Sequence, residues 1–207
     1  MKQILLLATL VSLSVSANAQ TTTTANVNPT CQLALNQSPA IRGIKLGLKL
    51  DDVLRVFPGA EQNEWVKQAV QQKTTYPNLG VIQFFISPAS YSTKDQFSGI
   101  NQFVFTFIDD RLAEYSVAYA APPDGPAWPR VDDWVNKVAA SFNLPELGSW
   151  STEQQGDRTL KCRDFQLRAS NLNLVGNLKI ATFDLPYKEQ QARRAAFDEK
   201  LRHDFKP

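Results

Sequence analysis

Three adjacent carboxylate pairs, Asp51-Asp52, Asp109-Asp110 and Asp132-Asp133, are the residues of this chain best suited to chemistry. Paired carboxylates can act as general acid and base, or hold a cation. Each pair also has a structural use where it stands. Asp51-Asp52 and Asp132-Asp133 fall in the first turns of expected helices, where negative charge suits the positive end of the dipole. Asp109-Asp110 falls at an expected hairpin turn. The single histidine, His203, sits among Arg202, Asp204 and Lys206, which suits a solvated helix end better than a nucleophilic triad. One histidine and two cysteines cannot build a typical zinc site. Gly43, Gly47 and Lys49 precede a helix, but a phosphate loop needs G-x-x-x-x-G-K-[ST]. Here three residues separate the glycines, Lys49 is not adjacent to Gly47, and no Ser or Thr follows the lysine. The residues therefore assign no catalytic group, no metal ligand and no cofactor-binding group.

The two cysteines, Cys31 and Cys162, form an even pair without a C-x-x-C spacing. In an oxidising compartment such a pair favours a disulfide over a redox centre. The bridge would tie the N-terminal edge to the second half of the fold.

Recognition has two sets of candidates. Phe103, Phe105 and Phe107 with Tyr115 and Tyr119 make an aromatic stripe that could line a ligand pocket, though such a stripe more often forms core under helices. The aromatics Tyr91, Phe97 and Trp128 lie in segments rich in Ser, Pro and Gly, where binding residues tend to be placed. The last expected helix mixes Lys188, Arg193, Arg194, Lys200 and Arg202 with Glu189, Asp198 and Glu199, the pattern of a solvated, ion-paired face.

These residues need elements to hold them. Leu50, Val53, Leu54 and Phe57 share one helical face, so Asp51 to Phe57 is an expected helix, stopped by Pro58-Gly59. Glu64 to Gln72 and Val81 to Ser87 are expected strands. In Ile100 to Ala120, phenylalanines at every second position precede Asp109-Asp110, and Ala113, Tyr115, Val117 and Tyr119 follow. A three-residue turn, Asp109 to Arg111, sets Phe105 opposite Tyr115 and Phe103 opposite Val117, and keeps one continuous apolar face. Pro129 to Phe142 is an amphipathic helix on Val131, Trp134, Val135, Val138 and Phe142. Strands are expected around Leu147 to Thr152, at Arg158 to Ser170 with a bulge near Arg163-Asp164, and at Asn177 to Asp184. Asp184 can cap a final helix, Leu185 to about His203, with a thin apolar stripe at Ala192, Ala196, Phe197 and Leu201.

The N-terminus gives a compartment. Lys2, the apolar run Ile4 to Val15 and Ala17-Asn18-Ala19 have the layout of a secretory signal, with cleavage expected after Ala19. The apolar run is too short to span a bilayer. Residues 1–19 are thus the expected signal peptide, 20–30 a polar disordered leader and 31–207 one folded domain. The composition, 43% hydrophobic and 20% charged, is that of an ordinary globular chain. A formal charge of +2 gives no electrostatic case for nucleic acid or an anionic membrane. The expected location is periplasmic or secreted, with no transmembrane segment.

The stretch "GIKLGLKLDDVLRVFP", Gly43 to Pro58, resembles the G-(I/L)-x-L-G-M-(S/T)-x-x-(E/D)-V helix start of the SmpA/OmlA outer-membrane assembly lipoproteins and of the similarly folded β-lactamase inhibitory proteins. The chain departs from it at Lys49, which replaces the usual Ser/Thr cap, and in having no lipidated cysteine. It also resembles uncharacterised secreted bacterial proteins that begin C…SP.IRG..LG. The resemblance implies small helices on an antiparallel sheet, sometimes in tandem, and protein binding without catalysis. The two segments "DDVLRVFP" and "DDWVNKVAASFNLP" hint at an internal repeat. The expected fold is α+β, an antiparallel sheet with helices packed on one face and a tandem α-β repeat as one form of it. The expected function is a non-enzymatic extracytoplasmic module that binds another envelope or secreted protein. The alternatives are a small-ligand binder using the aromatic sheet face and, behind it, a carboxylate-based hydrolase.

Overall fold

The computed structural model describes residues 31–91, 93, 95–120, 130–153, 156–171, 176–183 and 185–205. The expected signal peptide, cleavage site and leader, with Trp128, Pro129 and the expected Asp184 cap, lie outside the described residues.

The fold is α+β. Seven strands form one antiparallel sheet: β1 Val81–Ile86, β2 Ile100–Ile108, β3 Arg111–Tyr119, β4 Ser151–Thr152, β5 Arg158–Lys161, β6 Gln166–Ser170 and β7 Asn177–Ala181. Four α-helices accompany them among the described residues: α1 Leu50–Arg55, α2 Glu64–Gln71, α3 Val131–Phe142 and α4 Leu185–Asp204. The strand order is β1-β2-β3-β7-β6-β5-β4. Each half of the chain thus runs from helix to meander, and the last strands of the two meanders, β3 and β7, pair at the centre.

Alternation decides which face is core. Phe103, Phe105, Phe107, Tyr115, Val117, Leu178, Ile180, Leu167 and Leu160 are wholly buried on one side of the sheet. Register carries that face across the strands: Phe105 opposes Tyr115, Tyr115 opposes Ile180, and Ile180 opposes Leu167. Phe57, just past α1, stacks on Phe97 at 4.9 Å and meets Phe103 edge-on at 5.8 Å. Trp134 of α3 meets Tyr119 edge-on at 4.9 Å, and its indole N–H donates to Asn177 O at 3.0 Å. α1 and α3 therefore cover the aromatic face, as the alternation predicts.

α4 does not. It packs on β2 and β3 from the side occupied by Thr106 and Glu114. Its guanidinium groups do the anchoring. Arg193 forms a two-pronged bridge to Asp109, at 2.8 and 2.6 Å, and donates to Leu79 O at 2.9 Å. Arg194 donates to Pro77 O at 2.8 Å, and Phe197 stacks on Tyr76 at 5.5 Å. The thin apolar stripe could not bury a helix alone, so the helix takes the polar face.

Three local expectations change. Glu64 to Gln72 is helix α2, not a strand. Asn63 caps it, its side chain accepting from Trp65 N at 2.9 Å, and Glu64 pairs with Lys67 at 3.1 Å. An Asn cap followed by Glu, Lys, Gln and Ala outweighs a weak alternation over so few residues.

The β2–β3 hairpin has the expected pairs, Phe105 with Tyr115 and Phe103 with Val117, but reaches them differently. Asp109 and Asp110 both have positive φ, 48° and 63°, and make a two-residue turn that pairs Ile108 with Arg111. A register shift between Thr106 and Phe107 then leaves Ala113 as the extra residue and restores the apolar face.

The parity change at Arg163-Asp164 is a chain reversal, not a bulge within one strand. Leu160 opposes Leu167, and Cys162 N donates to Phe165 O at 2.9 Å across the tip. Nearby, Leu147–Ser149 is a 3-10 turn that leaves only Ser151–Thr152 as strand.

Cys31 and Cys162 are bonded, linking residues 131 apart in sequence. Beside the bridge, Leu35 N donates to Asp164 Oδ2 at 3.0 Å. That hydrogen bond, with Arg163 alongside, holds the Asp164 carboxyl below its ordinary range. No described helix is long and apolar enough to cross a membrane.

Candidate functional site

Helices α2 and α4 stand over the outward face of the sheet with a cleft of about 450 Å³ between them. Its floor is a cross-strand row. Gln83 of β1 opposes Thr106 of β2, which opposes Glu114 of β3. These positions alternate with the buried phenylalanines, so the register that closes the core also brings the three polar side chains into line.

The walls follow from the helices. On α2 the buried residue is Val66, which turns its neighbour Trp65 outward, 67% exposed. Gln68 joins it on the cleft side. On α4, Pro186 is buried against the sheet and Tyr187 projects, 63% exposed, with Gln190 one turn on. Two aromatic rings on separate helices thus flank a polar floor, with the amides of Gln68 and Gln190 on the walls. Among the described residues the one charge lining it is Glu114, whose carboxylate pairs with Lys179 at 2.7 Å. The cleft can stack against flat apolar surfaces and exchange hydrogen bonds, and it has no nucleophile beside a base.

The carboxylate pairs are not gathered. Asp52 pairs with Arg55 at 3.0 Å, Asp109 with Arg193, and Asp110 with Lys73 at 3.0 Å. Asp132 pairs with Arg158 at 2.7 Å and Asp133 with Arg130 at 2.8 Å. Hydrogen bonds from Arg193 and Arg130 hold Asp109 and Asp133 below the usual carboxylate range, which makes both poor proton carriers near neutrality. His203 is exposed, and no group of three or more His, Cys, Asp or Glu among the described residues could hold a metal.

The glycine-containing segment before α1 is docked backbone to backbone. Gly47 N donates to Leu112 O at 2.8 Å, and Leu50 N to Asp110 O at 3.0 Å. Its amides are therefore committed to the hairpin and are not offered to a phosphate.

Of the aromatics singled out from the sequence, Phe97 is core, 1% exposed, stacked on Phe57 and edge-on to Phe103, so it has no surface to offer a partner. Tyr91 is half-buried against the same cluster, and its hydroxyl accepts from Asn63 Nδ2 at 3.5 Å. The Phe103, Phe105, Phe107 and Tyr115 stripe is sealed. The sequence gives no signal for Trp65 or Tyr187: a strand reading of Glu64 to Gln72 hides the helical phase of Trp65, and Tyr187 stands outside the apolar stripe of the last helix. A helical phase for residues 64–71 puts Trp65 on one face with Gln68, Ala69 and Gln72, turned away from Val66.

A second cleft of about 450 Å³ runs between α3 and the segment at Ile41. Tyr119 and Trp134 line it, with Arg42 and Lys137 at hand. Burial pushes the Tyr119 phenol up to about 12, so it stays neutral there.

No family model, no curated protein and no solved structure matches the chain.

Proposed function

We propose that the chain is a non-enzymatic recognition module of the cell envelope, acting outside the cytoplasm and binding through the cleft between α2 and α4. The observation that carries this is where the aromatic surface lies. The sheet's Phe face is fully buried, whereas Trp65 and Tyr187 stay exposed beside polar side chains that are not spent on folding. A large exposed ring that the fold does not need is a better mark of a contact surface than a buried one. The secretory layout of residues 1–19, the Cys31–Cys162 bridge and the resemblance to envelope assembly proteins support the compartment. The dispersed, ion-paired aspartates favour binding over hydrolysis.

Co-sedimentation tests the proposal. The mature, oxidised protein is mixed with envelopes isolated from the cell that makes it, beside a Trp65→Ala/Tyr187→Ala variant of equal thermal stability. The wild type should pellet with the envelopes, and the variant about tenfold less, since exposed aromatics are the usual anchors of a contact surface. A wild type that stays in the supernatant, or a variant that pellets equally, overturns it.

A further inference from the structure

Resting on that reading of the cleft, we infer that its ligand is a neutral saccharide. Four features select this class. First, Trp65 and Tyr187 face the cleft from two helices. Two exposed rings give apolar faces on which the C–H side of a sugar ring can lie. Second, Gln68, Gln83 and Gln190 supply side-chain amides, and among the described residues no protein group hydrogen-bonds them. An amide both donates and accepts, as a hydroxyl does, so the two match without either being ionised.

Third, charge argues against the ionic alternatives. An anion would meet Glu114, and a cation would have to displace Lys179 from it. A neutral ligand leaves that pair intact. Fourth, the floor belongs to paired strands. β2 is bonded on both sides, to β1 and β3, and β3 to β2 and β7. At Thr106 and Glu114 the floor therefore offers side chains only, and a peptide strand could add to the sheet only outside Gln83, at the β1 edge. A volume of about 450 Å³ falls in the ordinary range for small-molecule sites. A glycosidase needs two carboxyl groups across the scissile bond, whereas among the described residues of the cleft Glu114 is the single carboxylate, and it is paired. The sugar is bound and released unchanged.

Titration of the mature, oxidised protein with maltotriose, cellotriose and triacetylchitotriose tests the inference, read by tryptophan fluorescence and backbone amide shifts. At least one should bind with millimolar or better affinity, with shifts confined to α2, the outward residues of β1–β3 and the start of α4. Comparing the three separates a wall-type N-acetyl glycan from a glucan. Trp65→Ala should weaken binding about tenfold or more, and Gln83→Ala several-fold. Both residues are exposed, so the variants keep the fold. No response to any of the three, shifts that map to the α3 cleft, or binding indifferent to Trp65 overturns the saccharide. So does a proline-rich peptide that shifts the same amides when the sugars do not. If sugars fail while envelope binding still depends on Trp65 and Tyr187, only the ligand class falls. If sugars bind and envelopes do not, the envelope proposal falls and the ligand class stands.

Discussion

Tyr115 shows how one side chain joins distant chain segments. Its ring is fully buried in the aromatic face, and its hydroxyl lies 2.9 Å from Pro39 O and 3.1 Å from Ile44 O. One proton is shared between two carbonyls of the segment leading to α1. Burial raises the phenol far above its ordinary range, so the group stays a donor at any pH the fold survives. Tyr115→Phe keeps the packing and removes the hydroxyl donor from Pro39 O, while Ile44 O still accepts from Ile41 N at 2.9 Å, so it should cost about 1–2 kcal/mol in urea unfolding with an unchanged circular dichroism spectrum. An unchanged midpoint would show that the bond contributes nothing net. The inward direction of Tyr115 was legible because alternation fixes it. Its acceptors were not, since they lie 76 and 71 residues upstream in a segment without periodicity.

At the scale of elements, α4 depends on a charged clasp. Gly80, with φ of 93°, passes directly beneath the Arg193–Asp109 bridge, and a β-carbon there would collide with both side chains. Gly80→Ala should destabilise the protein by about 1–3 kcal/mol and expose α4 to protease. The clasp also predicts a pH dependence. Arg193 lowers the Asp109 pKa in the folded state, so its contribution is complete above the unfolded carboxylate value and is lost as pH falls through the lowered one. The pair is largely solvent-exposed, so the effect is at most about 1 kcal/mol. Amide exchange in α4 should quicken in acid relative to the sheet, and Asp109→Asn should remove the difference between the two pH values. Equal acid sensitivity in that variant would assign the effect elsewhere. The helix itself was legible in outline, but its docking face was not. Apolar periodicity says which side is greasy, and here arginines hold the helix. The hairpin at Arg163-Asp164 hid for a related reason, because a bulge and a tight reversal shift parity alike.

For the molecule as a whole, the bridge is the main covalent constraint. Cys31 and Cys162 close a long loop that takes in the first meander and α3. Replacing both by serine should cost about 2–5 kcal/mol, seen as a lower urea midpoint than the oxidised parent. Because one continuous cluster of buried residues runs beneath the whole sheet, the variant should still fold in buffer. The oxidised parent and the variant should then give the same amide shifts around Trp65, since the bridge lies at the other half of the sheet. A variant unfolded in buffer would mean that the apolar interior alone cannot hold the two meanders together. The α+β class and the bridge were legible from alternation and cysteine count. The cleft was not, because it joins surfaces far apart in the sequence.

That α4 braces the hairpin of the first meander has a consequence for timing. One wall of the cleft comes from α2, which precedes the first meander, and the other from α4, which follows the second. A nascent chain can complete its central strands and still present half a groove. The cleft is therefore complete only once α4 has docked on that hairpin, well after the first meander can form.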